Sequence, residues 1–419
     1  MSYLIDAPIE VLHLILYNID QQSDLYQCAL VNKSLYAATN PLLWREPKKE
    51  AGCKRREHSI SFWLLRSFRQ ARIHGLHATS LGHYIRILFI EICTPLQDMR
   101  QVINNIPLVE ELVIRVTTMN DKDIERIARK CPKLKRLSLG NFEDSSDCSL
   151  DSLRHCTNLR ELSIITGDRT NHRLTSIKHD RLEKLKLITN GWSYGFSLEL
   201  PFSNIPTLTH LDLDSLAAAY FRHYRTLPSP TFFPGLTNLR ISMFYDAVTG
   251  NEPVVSFFKA HPLIDTLTIN NLKIDSTIMT SLATDLVHLK CLTLIDNGCL
   301  PSFTMALPLV ENLNLLHCSI NVPSTVCMAT LFPNLHYIHV SKHYSHLSRK
   351  SSNIMGDDPQ SDKLTIESIT QLTYLDFASY DSVPDDLKVH LPRRTDGKLV
   401  NQDLQHIRKT AVGLAWIDC

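Results

Sequence analysis

A short apolar pattern recurs along most of this chain of 419 residues, and it limits the possible folds more than any other feature of the sequence. The pattern is P-x-L-x-x-L-x-L, and a complete example runs from Pro132 to Leu139. Its last two apolar positions are two residues apart, which is the spacing of a strand with one buried face. Other apolar residues also fill the L positions, and the twelve copies have their first apolar residue at Ile85, Val109, Leu134, Leu159, Leu182, Leu208, Leu236, Ile264, Leu289, Val310, Leu335 and Leu372.

The spacing of the copies favours a repeat architecture. Successive copies are 21–28 residues apart, except for a final step of 37 residues, and leucine-rich repeats have periods of about 20–29 residues. A single unit cannot bury its apolar face alone, so the units must stack around one continuous core. The pattern therefore predicts an α/β fold, a right-handed leucine-rich-repeat solenoid of about twelve repeats with a parallel sheet on its concave face. The competing interpretation is a set of scattered leucines in an unrelated α/β protein.

One corner of the repeats is less regular than the strands. The full leucine-rich pattern continues x-x-N/C-x-L. Cys318 and Asn297 fill the N/C position of their repeats, whereas Leu272 stands there in the repeat before them. We therefore do not expect a continuous ladder of polar side chains at this corner. The wide final spacing contains residues 342–362, which are rich in Ser, Asp, His and Lys and predict a loop or an insertion.

The first 46 residues lack the repeat and predict three short helices. Pro8 suits the first turn of the first helix, Ser23 is a candidate cap of the second, and Asn32 is a candidate cap of the third. So small a unit cannot bury all of its apolar surface, so we expect part of that surface to bind a partner. The apolar residues on one face of the first predicted helix are Val11, Leu12, Ile15, Leu16 and Ile19.

These N-terminal residues resemble an F-box. The string A-P-I-E-V-L from Ala7 to Leu12 is similar to the family motif L-P-x-E-[IV]-L, and D-L, V-N-K and L-W-R follow it in the family's order. Ala7 stands where the family commonly has leucine, and Leu35 stands where it commonly has an aromatic residue. An F-box followed by leucine-rich repeats resembles the F-box/leucine-rich-repeat proteins. In that family the F-box binds a Skp-type adaptor of a cullin–RING ubiquitin ligase, and the repeats capture the substrate.

The resemblance implies the substrate-recognition subunit of a Skp–cullin–F-box E3 ubiquitin ligase, a non-catalytic subunit without a cofactor. Its partners are expected to be the adaptor, the cullin–RING ligase that the adaptor joins, and a protein substrate of unknown identity. The alternative is a leucine-rich-repeat scaffold or inhibitor that binds a protein without ligase coupling. The residues that we expect to bind the adaptor are Pro8, Ile9, Val11, Leu12, Ile15, Leu16, Leu25, Val31 and Trp44.

Alternate residues on each predicted strand point away from the core and form a sheet face. Exposed tyrosines beside charged groups favour protein binding, because they add contact area at a low cost in entropy. We therefore predict a substrate site at the C-terminal end of this face, with the charged middle repeats as the alternative. A further alternative is that the C-terminal segment around Leu404–Trp416 covers the tyrosines. The predicted substrate-binding residues are Tyr337, His339, Tyr374 and Asp376, with Asp212, Asp214 and Arg240 in the middle repeats.

These patterns divide the chain into four predicted parts. They are an F-box at 1–46, a basic linker and capping helix at 47–80, the repeats at 81–395, and a C-terminal helical cap at 396–419. Between Arg45 and Arg72 there are nine basic and three acidic residues. This cluster is either a nuclear import signal or nucleic-acid contact, or a solvated linker that leads into the capping helix. We favour the linker.

Composition and charge argue against several other classes of protein. Lys and Arg number 44 and Asp and Glu number 43, so the net charge of +1 argues against a nucleic-acid coating protein. There is no glycine-rich phosphate-binding motif, and His336, His339, His343 and His346 lack convincing metal-ligand spacing. No apolar stretch is about 20 residues long, so no membrane span is expected. Eleven cysteines without a C-x-x-C pair predict free, mostly buried thiols in the cytoplasm, the nucleus or both.

Overall fold

A computed structural model of the chain divides into two compact units, Met1–Thr207 and Leu208–Cys419. The residues that the structure describes are 7–47, 59–74, 81–115, 119–142, 150–166, 179–189, 205–214, 233–242, 251–300, 305–320, 331–341 and 374–378.

Three helices open the first unit, as the sequence predicts. Asn32 lies in extended conformation before the third helix, and its side-chain oxygen accepts a hydrogen bond from the Leu35 N–H at 2.8 Å, so the predicted cap is confirmed. The predicted cap at Ser23 is wrong, because the second helix begins at Gln22 and its N-cap residue is Gln21. The helices are α1 (Ile9–Leu16), α2 (Gln22–Val31) and α3 (Lys33–Leu43).

A small apolar core holds these three helices together. Leu12 and Leu16 of α1, Leu25 of α2 and Ala38 of α3 are its buried members. The first two are only 1–2% exposed, which is the burial of a domain core. Partly buried side chains surround them, namely Ala7, Ile19, Cys28, Leu35, Leu42 and Leu43.

The first unit continues with parallel strands in sequence order. Leu112, Leu137, Leu162 and Leu185 lie in register on four successive strands. Helices or short 3-10 turns cross between strands, so the predicted strand-and-crossover unit is confirmed. The elements after α3 are α4 (Ile60–His74), β1 (Ile87–Ile90), α5 (Leu96–Ile103), β2 (Glu111–Ile114), α6 (Asp121–Lys130), β3 (Arg136–Phe142), β4 (Glu161–Thr166) and β5 (Lys184–Thr189), with 3-10 turns at Leu81–His83 and Asp151–His155.

The second unit repeats the same architecture. Leu239, Leu267, Leu292 and Leu313 lie in register on successive parallel strands. The α/β repeat fold predicted from the sequence is therefore confirmed in both units. The elements are β6 (His210–Asp214), β7 (Asn238–Ser242), α7 (Glu252–Ala260), β8 (Thr266–Asn270), α8 (Ser276–Thr284), β9 (Cys291–Leu300), β10 (Asn312–Ile320), β11 (Tyr337–Ser341) and β12 (Tyr374–Ala378).

The residue that precedes each P-x-L segment lies inside the stack. Ile106, Cys131 and Cys156 hold this position in the first unit and are fully buried. Burial raises the pKa of the Cys131 and Cys156 thiols to about 12, so both stay protonated and unreactive near neutral pH. Among the cysteines whose side chains the structure describes, only these two are buried, whereas the sequence predicts mostly buried thiols.

Two histidines occupy the same interior position. The His179 ring donates from Nε2 to the Cys156 carbonyl at 3.1 Å, since its Nδ1 accepts from the Arg181 N–H at 3.2 Å. The His261 ring accepts from the Phe233 N–H at 3.2 Å and donates from Nδ1 to the Phe257 carbonyl at 2.7 Å. Each ring needs one unprotonated nitrogen for this arrangement. Burial lowers the pKa of both imidazoles, which keeps them neutral.

The irregular corner contains a short run of polar contacts. Asn297 accepts from the Leu272 N–H at 2.8 Å and donates to the Ile269 carbonyl at 3.0 Å. In the next repeat, the thiol of Cys318 donates a hydrogen bond to the Leu294 carbonyl at 3.5 Å. The corner position is therefore polar in two adjacent repeats and apolar at Leu272.

Some predicted features lie outside the described residues. They are residues 48–56 of the basic cluster, the loop at 342–362, and the C-terminal cap at 396–419 with its segment Leu404–Trp416. His343 and His346 also lie outside them. The predicted capping helix is described, and it spans Ile60–His74.

Candidate functional site: a helical surface and a sheet surface

The three N-terminal helices expose an unusual number of large apolar side chains. Among the described residues, nine of the seventeen large apolar side chains with high exposure lie on this short segment. Clusters of this kind mark interaction sites, because isolated soluble units seldom leave so much apolar area in water. We call this set the helical surface, and its members are Ile9, Val11, Leu14, Ile15, Tyr17, Tyr26, Leu30, Val31 and Tyr36.

The structure separates the predicted adaptor-binding residues into two groups. Pro8, Ile9, Val11, Ile15 and Val31 are exposed and are free to meet a partner. Leu12, Leu16 and Leu25 face the core of the three helices, and Trp44 is half-buried. The buried leucines therefore support the shape of this surface.

Helix geometry explains the division on α1. Val11 and Ile15 are four residues apart and lie on one face, and Leu14, which is 71% exposed, lies beside them. Leu12 and Leu16 follow by one residue, which turns them by about 100° toward α3. The sequence pattern alone did not identify Leu14, Tyr17, Tyr26 and Leu30. The signal for the last two is their i, i+4 spacing on α2 beside the buried pair Leu25 and Ala29.

Backbone hydrogen bonds join the helical segment to the first strand. The Arg45 carbonyl accepts from the N–H groups of Arg86 at 2.8 Å and Ile87 at 3.0 Å. The Arg86 carbonyl accepts in the same way from Glu110 and Glu111 in the next repeat. Arg45 thus occupies the place of a repeat residue one step before β1. The end of the F-box-like segment is consequently fixed to the sheet, which sequence reasoning did not find.

A side chain of α2 reinforces this junction. The Gln22 amide donates from Nε2 to the Leu43 carbonyl at 3.3 Å and to the Glu46 carbonyl at 3.1 Å. These carbonyls flank Arg45, so α2 holds the same stretch of backbone that contacts β1. The helical surface therefore keeps a defined orientation to the first repeat.

The sheet surface of the first unit is charged, and its charges are paired across strands. Lys135 contacts Glu110 at 2.7 Å, Lys184 contacts Glu161 at 3.0 Å, and Arg136 contacts Glu111. The hydrogen bond from Lys135 lowers the pKa of the Glu110 carboxyl. Opposite charges alternate from strand to strand, so this surface neutralises itself and offers little net charge to a partner.

An aromatic contact interrupts the charged surface at its first strand. Phe89 on β1 is 41% exposed, and the Arg115 guanidinium lies 5.2 Å from its ring centre. Gly140 on β3 leaves room for the Arg115 stem, because a Cβ there would lie 3.3 Å from the Arg115 Cγ. The sequence analysis did not identify Phe89, although its strand position predicts an outward side chain.

The sheet surface of the second unit places the predicted substrate residues in two clusters. Tyr337 pairs with Tyr374 and His339 with Asp376 in the parallel register of β11 and β12. Tyr337 and His339 are half-buried. This register brings the four residues to adjacent positions, as the sequence pattern predicts. The side chains of Tyr374 and Asp376 lie outside the description.

The middle cluster lies on β6 and β7. Arg240 Nε lies 3.8 Å from Asp212 Oδ1, and Asp214 ends β6 on the same side of the strand. Four strand steps separate β7 from β11, which is about 19 Å at the usual strand spacing. The strands between them carry uncharged groups, for example Asn314, which donates to Thr293 Oγ1 at 3.0 Å. The two clusters are therefore separate candidate contacts.

The described residues offer neither a metal site nor a membrane-spanning helix. Within the described ranges, no group of three His, Cys, Asp or Glu side chains could hold a metal ion. No helix in the described part of the chain is long and apolar enough to cross a membrane.

Comparison with known proteins identifies the N-terminal helices. Residues 7–50 match the F-box-like family model. A search of curated proteins found no significant match. Among solved structures, the crystal structure of the leucine-rich repeat domain of APL1B is similar to the chain, with 13% sequence identity, a TM-score of 0.28, and coverage of 78% of this chain and 97% of that chain.

The remote structural likeness does not identify a function, and the repeat assignment depends on two other observations. These are the periodic sequence pattern and the in-register parallel strands. The helices at the N-terminus and the strands that follow them agree with the order of domains expected from the sequence. Residues 7–50 are therefore an F-box-like domain, and the strands that follow it have the architecture of leucine-rich repeats.

Proposed function

We propose that this protein is the substrate-recognition subunit of a Skp–cullin–F-box E3 ubiquitin ligase. The helical surface carries the proposal, because it leaves nine large apolar side chains exposed on an F-box-like domain. A Skp-type adaptor is the partner that the domain suggests, and the adaptor would bring the cullin–RING ligase. The protein itself performs no chemistry in this proposal, and it acts in the cytoplasm, the nucleus or both.

The junction at Arg45 supports a receptor role. A ligase receptor must hold its substrate at a defined place relative to the adaptor. A flexible connection would let the substrate occupy many positions. Here the Arg45 carbonyl bonds to two N–H groups at the start of the first repeat. The backbone that follows the adaptor-binding helices is thereby part of the repeat stack.

The adaptor contact is tested by charge substitutions on the helical surface. Ile15→Asp and Val31→Asp place carboxylates at positions that are 48% and 66% exposed. Burial of an aliphatic side chain at an interface contributes roughly 1.5–3 kcal/mol, so each variant should bind a purified Skp-type adaptor at least about tenfold more weakly. Val287→Asp is the matched control, since Val287 is 52% exposed in the second unit.

Exposed positions make a cleaner test than the buried leucines or a deletion. Leu12→Asp would put a charge into the core, and its loss of binding would reflect unfolding. Deletion of residues 1–46 would remove the Arg45 carbonyl and leave two N–H groups at β1 without their acceptor. Unchanged adaptor affinity in both Ile15→Asp and Val31→Asp would refute the ligase coupling.

The substrate contact is proposed at the C-terminal cluster of Tyr337, His339, Tyr374 and Asp376. Proteins captured by the wild-type chain in proteasome-inhibited cells are compared by quantitative mass spectrometry with those captured by Tyr337→Ala/Tyr374→Ala. Adaptor binding serves as the folding control. Loss of specific captured proteins is the expected result, and full capture would place the site elsewhere.

The middle cluster is the alternative position for the substrate. Asp212→Ala/Arg240→Ala removes the ion pair of β6 and β7 as a unit, which avoids leaving one charge without the other. If this variant loses the captured proteins and the tyrosine variant keeps them, the substrate binds at the middle repeats.

The second candidate function is a leucine-rich-repeat scaffold or inhibitor without ligase coupling. The two clusters on the sheet surface of the second unit favour it, because they offer protein contacts that do not involve the F-box-like helices. A chain that captures proteins through its repeats and binds no Skp-type adaptor would support this function.

A further inference from the structure

Helix α4 carries an exposed row of apolar and cationic side chains. Trp63 is 48% exposed and Ile73 is 66% exposed, and Arg66 and Arg69 lie exposed between them. Steps of three, three and four residues place all four on one side of the helix. We call these four residues the α4 stripe.

The opposite side of α4 fixes the helix to the protein. Ile60, Ser61 and Leu64 are buried there. The Ser61 hydroxyl lies 3.4 Å from that of Thr94, which precedes α5. Because the packed face is held in this way, the stripe must face outward.

Contacts within and beside the stripe arrange its side chains before any partner arrives. The Arg66 guanidinium carbon lies 5.5 Å from the Trp63 ring centre, which is a cation–π geometry. The Phe62 ring meets Trp63 edge to face with ring centres 6.1 Å apart. Such contacts restrict the rotamers of an exposed tryptophan and arginine and so reduce the entropy lost on binding.

The charge of this region is strongly positive in a nearly neutral chain. Residues 59–74 contain three arginines and no Asp or Glu, and residues 45–58 add six basic and three acidic residues. The formal charge of the whole chain is only +1. A complementary partner must therefore be acidic.

We propose that the α4 stripe is a docking surface for an acidic helical segment of a partner protein, one with an apolar side chain at each end. Arginine forks bind carboxylates in bidentate fashion, and tryptophan and arginine dominate protein binding energies. Trp63 and Ile73 are ten residues apart, about 15 Å along the helix. The partner's apolar residues would meet these two side chains, and its carboxylates would meet Arg66 and Arg69. This contact does not depend on the proposed ligase role.

The apolar ends of the stripe favour a protein over a nucleic acid. An aliphatic side chain such as Ile73 has no partner on a phosphate backbone, whereas it packs readily on leucine. A lipid surface is less suitable, because the stripe is a single row of side chains on a helix whose other face is packed. Nucleic acid and lipid are therefore outcomes that the test must separate.

The experiment measures binding of a fluorescent peptide to the full chain by anisotropy. The probe is a synthetic helical peptide of about 18 residues with two leucines about ten residues apart and glutamates between them. A matched peptide replaces every glutamate with glutamine. The variant is Arg66→Glu/Arg69→Glu, and the control is Arg129→Glu/Arg154→Glu, which makes the same change in net charge at two other exposed arginines of the first unit.

The glutamate peptide should bind the wild-type chain at least about tenfold more tightly than the glutamine peptide. Arg66→Glu/Arg69→Glu should weaken it by at least about tenfold, Trp63→Ala should weaken it too, and the control should stay within about twofold. A peptide with lysine for glutamate should then prefer the Arg66→Glu/Arg69→Glu variant. Circular dichroism of each variant checks that it is folded.

Three results would overturn the proposal. One is no measurable binding of the glutamate peptide to the wild-type chain. Another is binding that does not change in Arg66→Glu/Arg69→Glu. The third is stronger binding of oligouridine, or of vesicles with phosphatidylserine, with the same dependence on these two arginines. That result would assign the stripe to nucleic acid or to a lipid surface.

Discussion

The F-box-like helices and the repeats treat their apolar side chains in opposite ways. On the repeat strands, Leu137, Leu162, Leu267 and Leu313 are at most 2% exposed. On α1 and α2, apolar residues alternate between complete burial and exposure of up to 71%. Both regions are folded, so the difference does not reflect disorder in one of them.

The difference arises from the number of neighbours that each apolar face can find. A repeat strand has equivalent strands about 4.8 Å away, and each apolar side chain packs on its counterpart there. Three short helices share one inner face, and their outer faces have no equivalent unit beside them. The repeats therefore complete their own core, whereas the F-box-like helices α1–α3 keep apolar area that only another protein would cover.

The largest effect that tests this comparison is loss of a core leucine from the array. Leu267 is fully buried, so Leu267→Ala should lower the free energy of unfolding by about 2–5 kcal/mol. Leu30 is 63% exposed on α2, so Leu30→Ala should change it by less than about 0.5 kcal/mol. Urea denaturation followed by circular dichroism measures both. Hydrogen exchange should show loosening concentrated on β7 and β9, the neighbours of the altered strand.

A matched pair on one helix sharpens the comparison. Val11 and Leu12 are consecutive, but Val11 is 42% exposed and Leu12 is 1% exposed. Leu12→Ala should therefore destabilise the protein and Val11→Ala should not. Equal destabilisation by the two substitutions would contradict the assignment of Val11 to a surface that awaits a partner.

The next effect concerns the polar corner inside the array. Asn297→Leu copies the residue that stands at this corner one repeat earlier, but it leaves the Leu272 N–H and the Ile269 carbonyl without their partner. A buried polar group that loses its hydrogen bond costs about 1–3 kcal/mol, which thermal or urea unfolding will detect. Asn297→Cys is the control, because Cys318 fills the same position in the following repeat and bonds to a carbonyl there. If Asn297→Leu leaves the free energy of unfolding unchanged, water must replace the hydrogen bonds of the amide.

A fall in pH should destabilise the repeats before it destabilises the F-box-like helices α1–α3. Burial lowers the pKa of His179 and His261, so near neutral pH these rings are neutral in the folded protein and in the unfolded chain. As the pH falls below about 6.5, the unfolded chain binds protons first, so stability falls by at most about 1.4 kcal/mol per pH unit for each ring. The core of α1–α3 consists of apolar residues and has no such group.

Hydrogen exchange at pH 7 and pH 5.5 measures this order of loosening. His179→Cys is the matched control, because Cys131 and Cys156 fill the equivalent position in the two preceding repeats. The variant should lose part of the pH dependence of the first unit and leave that around His261 unchanged. A variant with the full wild-type pH dependence would assign the effect to other groups.

The sequence predicted the strands well, because a period of two apolar residues directly records burial on one side of a strand. It also grouped Tyr337 with Tyr374, since equivalent positions of adjacent repeats must lie side by side in a parallel sheet. It could not separate Leu12 from Val11. The rotation of α1 about its axis is set by packing on α3, and one amphipathic pattern is compatible with several rotations.

The junction at Arg45 could not be predicted for a different reason. Its bonds use the backbone carbonyl, which every residue possesses, so no side-chain pattern marks it. The cation–π contact of Arg115 with Phe89 depends on the small residue Gly140 one strand away, a combination with no short-range signature. Sequence periodicity thus predicts which face a residue occupies, whereas contacts between faces require the structure.

The smallest effect should come from the charged sheet surface of the first unit. It is exposed like the helical surface, but its charges are already paired across the strands. Arg136 contacts Glu111 across the strands, and its side chain is 51% exposed. An exposed pair contributes about 0–1 kcal/mol, so Arg136→Gln should barely change the free energy of unfolding and should leave adaptor binding unchanged. Ile15→Asp should also leave the unfolding free energy nearly unchanged but should weaken adaptor binding at least about tenfold. Parallel urea denaturation and adaptor titration of the two variants measure this difference, and equal loss of adaptor binding would show that the sheet surface also contributes to that contact.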